Sequence, residues 1–262
     1  MGLVQSVVRA IKILEVFDEM NKELSIKEIS AKLELNKSTV HALLKTLKEF
    51  GYITQNADTA DYSLGWKLYE RGNLLLSQLD LKTAASSHLQ TLNKATNETV
   101  HLVTRLEHEA IYIDKINGHN TLVIYSRVGK KVPLHCSAVG KVLAAYLPEA
   151  SLTEILNDYE FAQATVNSIQ NHNDYMAELA NVRKNGYAVD DEENEYGIIC
   201  FAMPIYDHRN KVVAAVSVSS PKSNFTEEKE SEYLKLLKLC VDKISQELGA
   251  NLNVKENYNE IH

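Results

Sequence analysis

The chain has 262 residues, 45% of them hydrophobic and 24% charged, with a net charge of -7. That length suggests about two domains, and the apolar content is ample for two cores. No apolar run approaches a membrane span, and the first residues lack the hydrophobic stretch of a secretory leader, so a soluble cytoplasmic protein is expected. Cys136, Cys200 and Cys240 are widely spaced with no CxxC pair, which fits reduced thiols rather than disulfides.

Taken in chain order, Val4, Val7, Val8, Ile11 and Leu14 start an amphipathic first helix. Residues 24 to 65 then read as two short helices joined by a tight turn and followed by a hairpin. Ile26, Ile29 and Leu33 form the apolar face of the first of these helices, and only Glu34, Leu35 and Asn36 precede the second. In that second helix Val40, Leu43, Leu44, Leu47 and Phe50 recur at helical spacing, so Ser38, Ala42, Lys45 and Glu49 point the other way. Asn36 is placed to cap its N-terminus. Tyr52-Ile53-Thr54 and Tyr62-Ser63-Leu64, around the polar turn Asn56 to Asp61, predict a β wing. A helix-turn-helix with a wing implies duplex DNA. Charge supports this only locally: residues 1 to 70 hold nine Lys/Arg against ten Asp/Glu, whereas Asn36 to Phe50 has three lysines against one glutamate. Ser38, Thr39, His41 and Lys45 are the candidate base or phosphate contacts, with Lys37 a backbone contact.

Trp66 to about Leu81 has helical periodicity through Leu68, Leu75, Leu76 and Leu79, a linker helix with more apolar surface than one small domain covers. Pairing with the same helix of a second subunit is the favoured use, because DNA half-sites are usually read by two-fold dimers. The expected boundaries are therefore 1–65 for the reading head, 66–81 for the linker, 82–250 for a second domain and 251–262 for a tail. In that second domain a helix over Leu81 to Asn97 precedes strands at Thr99 to Leu106, Ala110 to Ile116 and Thr121 to Ser126. Helices follow at Ser137 to Tyr146, Ser151 to Tyr159 and Asp174 to Asn185, the last ended by Gly186. Strands at Ile198 to Tyr206 and Val212 to Ser219, then a helix opened by Thr226, complete an α+β, sensor-like layout.

One feature of this domain suggests a ligand site by itself. Ser137 can cap a helix whose first amides, at Ala138 and Val139, would bind a carboxylate through their N–H groups and the helix dipole. Ser217 and Ser219 stand two apart in a strand and so share a face. Asp190-Asp191-Glu192-Glu193 with Glu195 reads as an acidic loop of the kind usually only solvated, and the family resemblance given below singles out Asp190 alone as the candidate ligand contact. Beside an anionic ligand Asp190 would have to accept from ligand hydroxyls or be protonated, which favours a hydroxylated oxo acid over a simple dicarboxylate.

Over almost its whole length the chain resembles the IclR-type bacterial transcriptional regulators. The matching segments are SVVRAIKILEVF at 6–17, KSTVHALLKTL at 37–47, YSLGWKLYERG at 62–72, NETVHLV at 97–103, VGKKVPLHCSAVGKVLAAYLP at 128–148, VRKNGYAVDDEENEYGIICFAMPIYD at 182–207 and VVAAVSVSSP at 212–221. Their order and spacing make the resemblance specific. It implies a winged helix-turn-helix, a linker helix and a GAF-like effector domain, working as a dimer or a dimer of dimers on palindromic operator DNA, with a small organic, sugar-derived or aromatic acid as effector. It also implies that Ala138, Val139, Asp190, Ile198, Cys200, Ser217 and Ser219 line the acid site, with Ile124 and Val132 on its apolar wall. The chain departs from the family pattern in three places. Glu34 replaces a common turn glycine, with little expected effect on stability. Asn36 replaces a common proline, and Ala42 stands where an arginine often offers a guanine contact, so operator sequence does not carry over.

No cofactor or metal is expected, and no catalytic residue. An enzyme reading would draw a Cys/His nucleophile or a metal site from His101, His135, Cys136, Cys200 and the acidic run, but nothing has HxxxH or CxxC spacing. The remaining alternative is a DNA-binding regulator responsive to redox state or metal through Cys136 and Cys200.

Overall fold

The computed structural model describes residues 2–18, 20–77, 80–118 and 126–251, without the side chains of residues 75–77 and 80. The expected strand at Thr121 to Ser126, the effector candidate Ile124, the linker positions Leu75, Leu76 and Leu79, and the tail all fall wholly or largely outside that description. The chain divides into two compact units, Met1–Gln78 and Leu79–His262.

In the first unit α1 (Gln5–Glu15), α2 (Ile26–Leu33) and α3 (Lys37–Glu49) surround Ile13, Phe17, Leu24, Ile29, Val40, Leu44, Ile53 and Tyr62. Ser25 starts α2 with a reciprocal capping box, its hydroxyl accepting from Glu28 N–H while the Glu28 carboxylate accepts from Ser25 N–H at 2.8 Å. Strands β1 (Ile53–Gln55) and β2 (Tyr62–Leu64) pair antiparallel as the wing, and α4 (Trp66–Ser77) follows.

The structure corrects four local expectations here. The α1 stripe that periodicity selects is largely solvent-facing, with Val4, Val7 and Ile11 exposed, because Ile13 and Phe17 supply the buried side instead. Phe50 is 66% exposed: α3 ends at Glu49, and Phe50 leaves the helical direction at the C-cap. Asn36 sits at the N-cap position, but its side chain makes no cap hydrogen bond, leaving the first-turn amides of α3 without that partner. Glu34 ends α2 in the left-handed region at φ 54°. A residue with a Cβ pays for that conformation, so the missing turn glycine matters more for stability than the sequence suggests.

The second unit opens with α5 (Asp80–Thr96), followed by β3 (Thr99–Leu106), β4 (Glu109–Ile116), β5 (Lys131–Val132), α6 (Ala138–Ala145), α7 (Glu149–Leu156), α8 (His172–Asn185), β6 (Ala188–Asp191), β7 (Ile198–Tyr206), β8 (Val212–Pro221) and α9 (Glu227–Glu247). The six strands form one antiparallel sheet in the order β5-β4-β3-β8-β7-β6. One face packs Val100, Leu102, Phe201, Met203, Val216 and Val218 against α5 and α9, around Leu89, Tyr233 and Leu237. The other packs Val103, Ala188, Ala202 and Ala215 against α6 and α8. Small residues on this second face let α6 lie close to the sheet, and all eight of its residues are buried. Gly140 is required there, since a Cβ would stand 2.2 Å from the Pro133 carbonyl oxygen. Asp190 and Asp191 lie in the edge strand β6 and not in a loop, and Asp190 is buried.

Candidate functional site

Strand register gathers polar side chains on the face beneath α6. Asp190 pairs with Cys200 and Cys200 with Ser219 across β6, β7 and β8. One row along, Ser217 pairs with His101 of β3. Side chains directly opposite on an antiparallel sheet share a face, so these five groups converge although they are as far apart in sequence as His101 and Ser219. They line a recess together with Tyr112, Ile198, Asn194, Glu195 and the α6 N-terminus at Ser137, Ala138 and Val139.

The hydrogen bonds define two chemical ends. At one end, Ser137 caps α6: its hydroxyl accepts from Gly140 N–H at 3.1 Å and donates to the Pro133 carbonyl at 2.5 Å. The first intrahelical bond runs from Lys141 N–H to the Ser137 carbonyl, which leaves the Ala138 and Val139 amides at the cavity wall as first-turn donors. Both residues are buried, so these amides address the recess and not bulk solvent. At the other end, Asp190 Oδ1 accepts from the Glu193 and Asn194 amides at 2.8 and 3.2 Å. Along the floor His101 Nδ1 lies 3.2 Å from Ser217 Oγ and 3.4 Å from Ser219 Oγ, and Cys200 Sγ donates to Ser219 Oγ at 3.0 Å. His101 Nε2 meets Ser126 Oγ at 2.7 Å.

Burial sets the charge states. It drives the Asp190 carboxyl up to about 7; the amides of Glu193 and Asn194 and the Lys141 ammonium oppose this, while Glu193 reinforces it. Burial, aided by Lys115, brings His101 down to about 3, so its ring is neutral at physiological pH. The Cys136 thiol is pushed up to about 12 and Cys200 well above its ordinary value, in each case mainly by burial with Asp190 adding to it. Neither is a thiolate at neutral pH, which removes the nucleophile and weakens the redox reading. Both His135 nitrogens have partners, Nδ1 with Tyr159 Oη at 2.9 Å and Nε2 with the Ala162 carbonyl at 3.0 Å. Among the described residues no group of three His, Cys, Asp or Glu side chains is arranged to hold a metal.

In the other unit, α2, the turn 34–36 and α3 form a helix-turn-helix, flanked by the wing. Lys37, Ser38, His41 and Lys45 are exposed on α3 and Thr39 is half-buried. Lys48 is engaged elsewhere, its ammonium donating to Gln55 Oε1 of β1 at 2.9 Å, which ties α3 to the wing.

Residues 6–57 match the IclR helix-turn-helix domain, and residues 73–246 match the C-terminal domain of bacterial IclR transcriptional regulators. The chain belongs to the IclR family. As an IclR-family protein it is a DNA-binding transcriptional regulator with an N-terminal winged helix-turn-helix and a C-terminal GAF-like effector-binding domain. It is similar to the transcriptional regulator XynR of Escherichia coli, 39% identical over 95% of this chain and 99% of that protein. The regulator KdgR of Dickeya chrysanthemi is 37% identical over 94% of this chain and 80% of that one. The crystal structure of the Thermotoga maritima IclR superposes with a TM-score of 0.78 at 38% identity, covering 94% of this chain and 99% of that chain.

Of the effector positions that the IclR resemblance implies, Ala138, Val139, Asp190, Ile198, Cys200, Ser217 and Ser219 all line the recess. Val132 does not: it is buried in the core under α6 and borders a separate surface hollow with His108, Lys131 and Tyr159. Ile124 lies outside the described residues. Sequence reasoning missed four lining groups, His101, Tyr112, Asn194 and Glu195. His101 carried a usable signal, a histidine amid the apolar run Val100 to Val103. Glu195 was visible in the acidic run but was set aside as solvated.

Proposed function

We propose that this IclR-family regulator binds a two-fold operator as a dimer or dimer of dimers, through Lys37, Ser38, Thr39, His41 and Lys45 of α3. Its recess takes a small hydroxylated oxo acid, of the 2-keto-3-deoxygluconate kind, as effector. The observation that carries the effector class is the polarity of the recess. First-turn amides of α6 stand at one end, where a carboxylate is favoured by N–H donors and the helix dipole. Neutral His101, Ser217, Ser219 and an Asp190 half-protonated near neutrality occupy the rest, groups that exchange hydrogen bonds with hydroxyl and carbonyl oxygens. None of the described lining residues is Lys or Arg, so a second carboxylate would find no fixed cation in the lining and would meet Asp190 and Glu195. Effector occupancy then shifts affinity for the operator through the linker helices, and by linkage the operator shifts effector affinity by the same factor. A redox or metal trigger has less support, because both thiols are held protonated.

A gel-shift titration on the protein's own promoter, repeated with pyruvate, glyoxylate, 2-keto-3-deoxygluconate and aromatic acids, tests this reading. A hydroxylated oxo acid should shift binding at lower concentration than a simple or aromatic acid, and Ser219→Ala should weaken that response while operator affinity holds. An unchanged effector response in Ser219→Ala would remove the site assignment.

A further inference from the structure

Lys141 is the most unexpected side chain in the effector domain: a lysine in the middle of α6 with 1% of its side chain exposed. Burying an ammonium is tolerated only with opposite charge at hand. Its Nζ lies 2.6 Å from Glu193 Oε1 and 3.2 Å from Glu178 Oε1 of α8. Glu178 is part of a surface helix, whereas Glu193 belongs to the hairpin Asp191–Gly197 between β6 and β7, whose Asn194 and Glu195 border the recess. The second Glu193 oxygen, Oε2, is buried without a hydrogen-bond partner. The carboxylate has therefore given up water at Oε2 while Oε1 grips the lysine.

We propose that Lys141 is a positioning residue for the effector pocket: through Glu193 it latches the hairpin Asp191–Gly197 over the recess and sets where Asp190, Asn194 and Glu195 stand. This rests on the recess being the effector site.

Three further contacts fit a latch. The Glu193 N–H donates to Asp190 Oδ1 at 2.8 Å, so the residue gripped by Lys141 also orients the pocket carboxylate. From outside, the Thr165 hydroxyl donates to the Glu192 carbonyl at 2.6 Å and the Ser168 hydroxyl to the Glu193 carbonyl at 2.6 Å. Glu192 itself turns the hairpin in the left-handed region, φ 56°, a strained conformation for a non-glycine residue that persists because the contacts around it impose it. Elsewhere the hairpin is tied by the Lys222 ammonium to the Asp191 carboxylate, by the Asn167 amide to the Asp191 carbonyl and by Val166 N–H to Tyr196 Oη. Lys141 is the cation that holds Glu193, and without it the largely buried Glu193 carboxylate is driven outward to regain water.

Thiol access reads this without any ligand. Cys200 lies in the recess and Cys136 contacts Asn194 of the hairpin, while Cys240 sits on the core-facing side of α9 and reports unfolding alone. The full chain would be alkylated with N-ethylmaleimide and each cysteine followed by peptide mass spectrometry. In Lys141→Met the Cys200 and Cys136 rates should rise by about tenfold or more with Cys240 unchanged, as expected when a buried ion pair loses one partner. Electrostatics works against that result, since the Lys141 charge favours both thiolates and removing it would slow them. Glu193→Gln should raise the Cys200 rate in the same direction and decides the matter if the lysine variant does not fold. A Cys200 rate within about twofold of wild type in a folded variant, or a rise matched by Cys240, overturns the latch. The same labelling on wild type with 2-keto-3-deoxygluconate tests the site separately: failure of the acid to protect Cys200 would count against the effector reading and leave the latch standing.

Discussion

Asp190→Asn should make the effector domain more stable at alkaline pH, although it removes a charge from a hydrogen-bonded site. Asp190 is 3% exposed and its carboxyl is raised from 3.8 to about 7 by burial. A carboxyl that is harder to ionise folded than unfolded contributes its full stability below about pH 4. That contribution is lost as pH rises through about 7. At about 1.4 kcal/mol for each tenfold change in acidity, the penalty above pH 7 approaches about 4 kcal/mol. It is smaller, about 2 kcal/mol, if the hairpin yields to let water reach the carboxylate. Asparagine keeps an oxygen for the Glu193 and Asn194 amides and has nothing to ionise. Urea unfolding of the full chain at about pH 4 and about pH 8, followed by circular dichroism in the transition of the Leu79–His262 unit, measures the difference. The variant should gain on wild type by about 2–4 kcal/mol between the two pH values. A pH-independent difference, or wild type gaining as pH rises, would refute the assignment of Asp190 as a destabilised buried acid.

Two predictions concern the reading head. Glu34→Gly should stabilise the N-terminal unit by about 1 kcal/mol, because glycine adopts the left-handed α2 cap without a Cβ clash; an unchanged or lower thermal midpoint would show that the Glu34 side chain compensates. Lys45→Ala should weaken operator binding similarly on any sequence and lower the slope of log affinity against log salt by about one. A change in sequence preference at constant slope would instead make Lys45 a base contact.

The two units were legible in the sequence to different degrees, for a physical reason. The reading head is made by contacts close in the chain, so helical periodicity in Ile26 to Leu33 and Val40 to Leu47, and β-prone runs at Ile53 and Tyr62, carry it directly. What periodicity could not choose was which of two apolar stripes on α1 the core would take, because both satisfy the same pattern and only packing on α2 and α3 separates them. In the effector domain, Ser217 and Ser219 were legible as a pair because strand geometry alone places them on one face. Ser137 was legible as a cap by residue type and position. His101, Tyr112, Asn194 and Glu195 join the site only through the strand order β4-β3-β8-β7-β6, whose β3–β8 step is long-range and leaves no local mark. The acidic run shows the limit most clearly. Asp190 to Glu193 and Glu195 read as one acidic run in which Asp190 alone stood out, yet the fold buries Asp190 in an edge strand, gives Glu193 to a buried lysine and turns Glu195 to the recess. Charge is a property of the residue and is written in the sequence. The environment that sets what the charge does is supplied by Lys141 and by strands distant in the chain, and only the tertiary structure decides it.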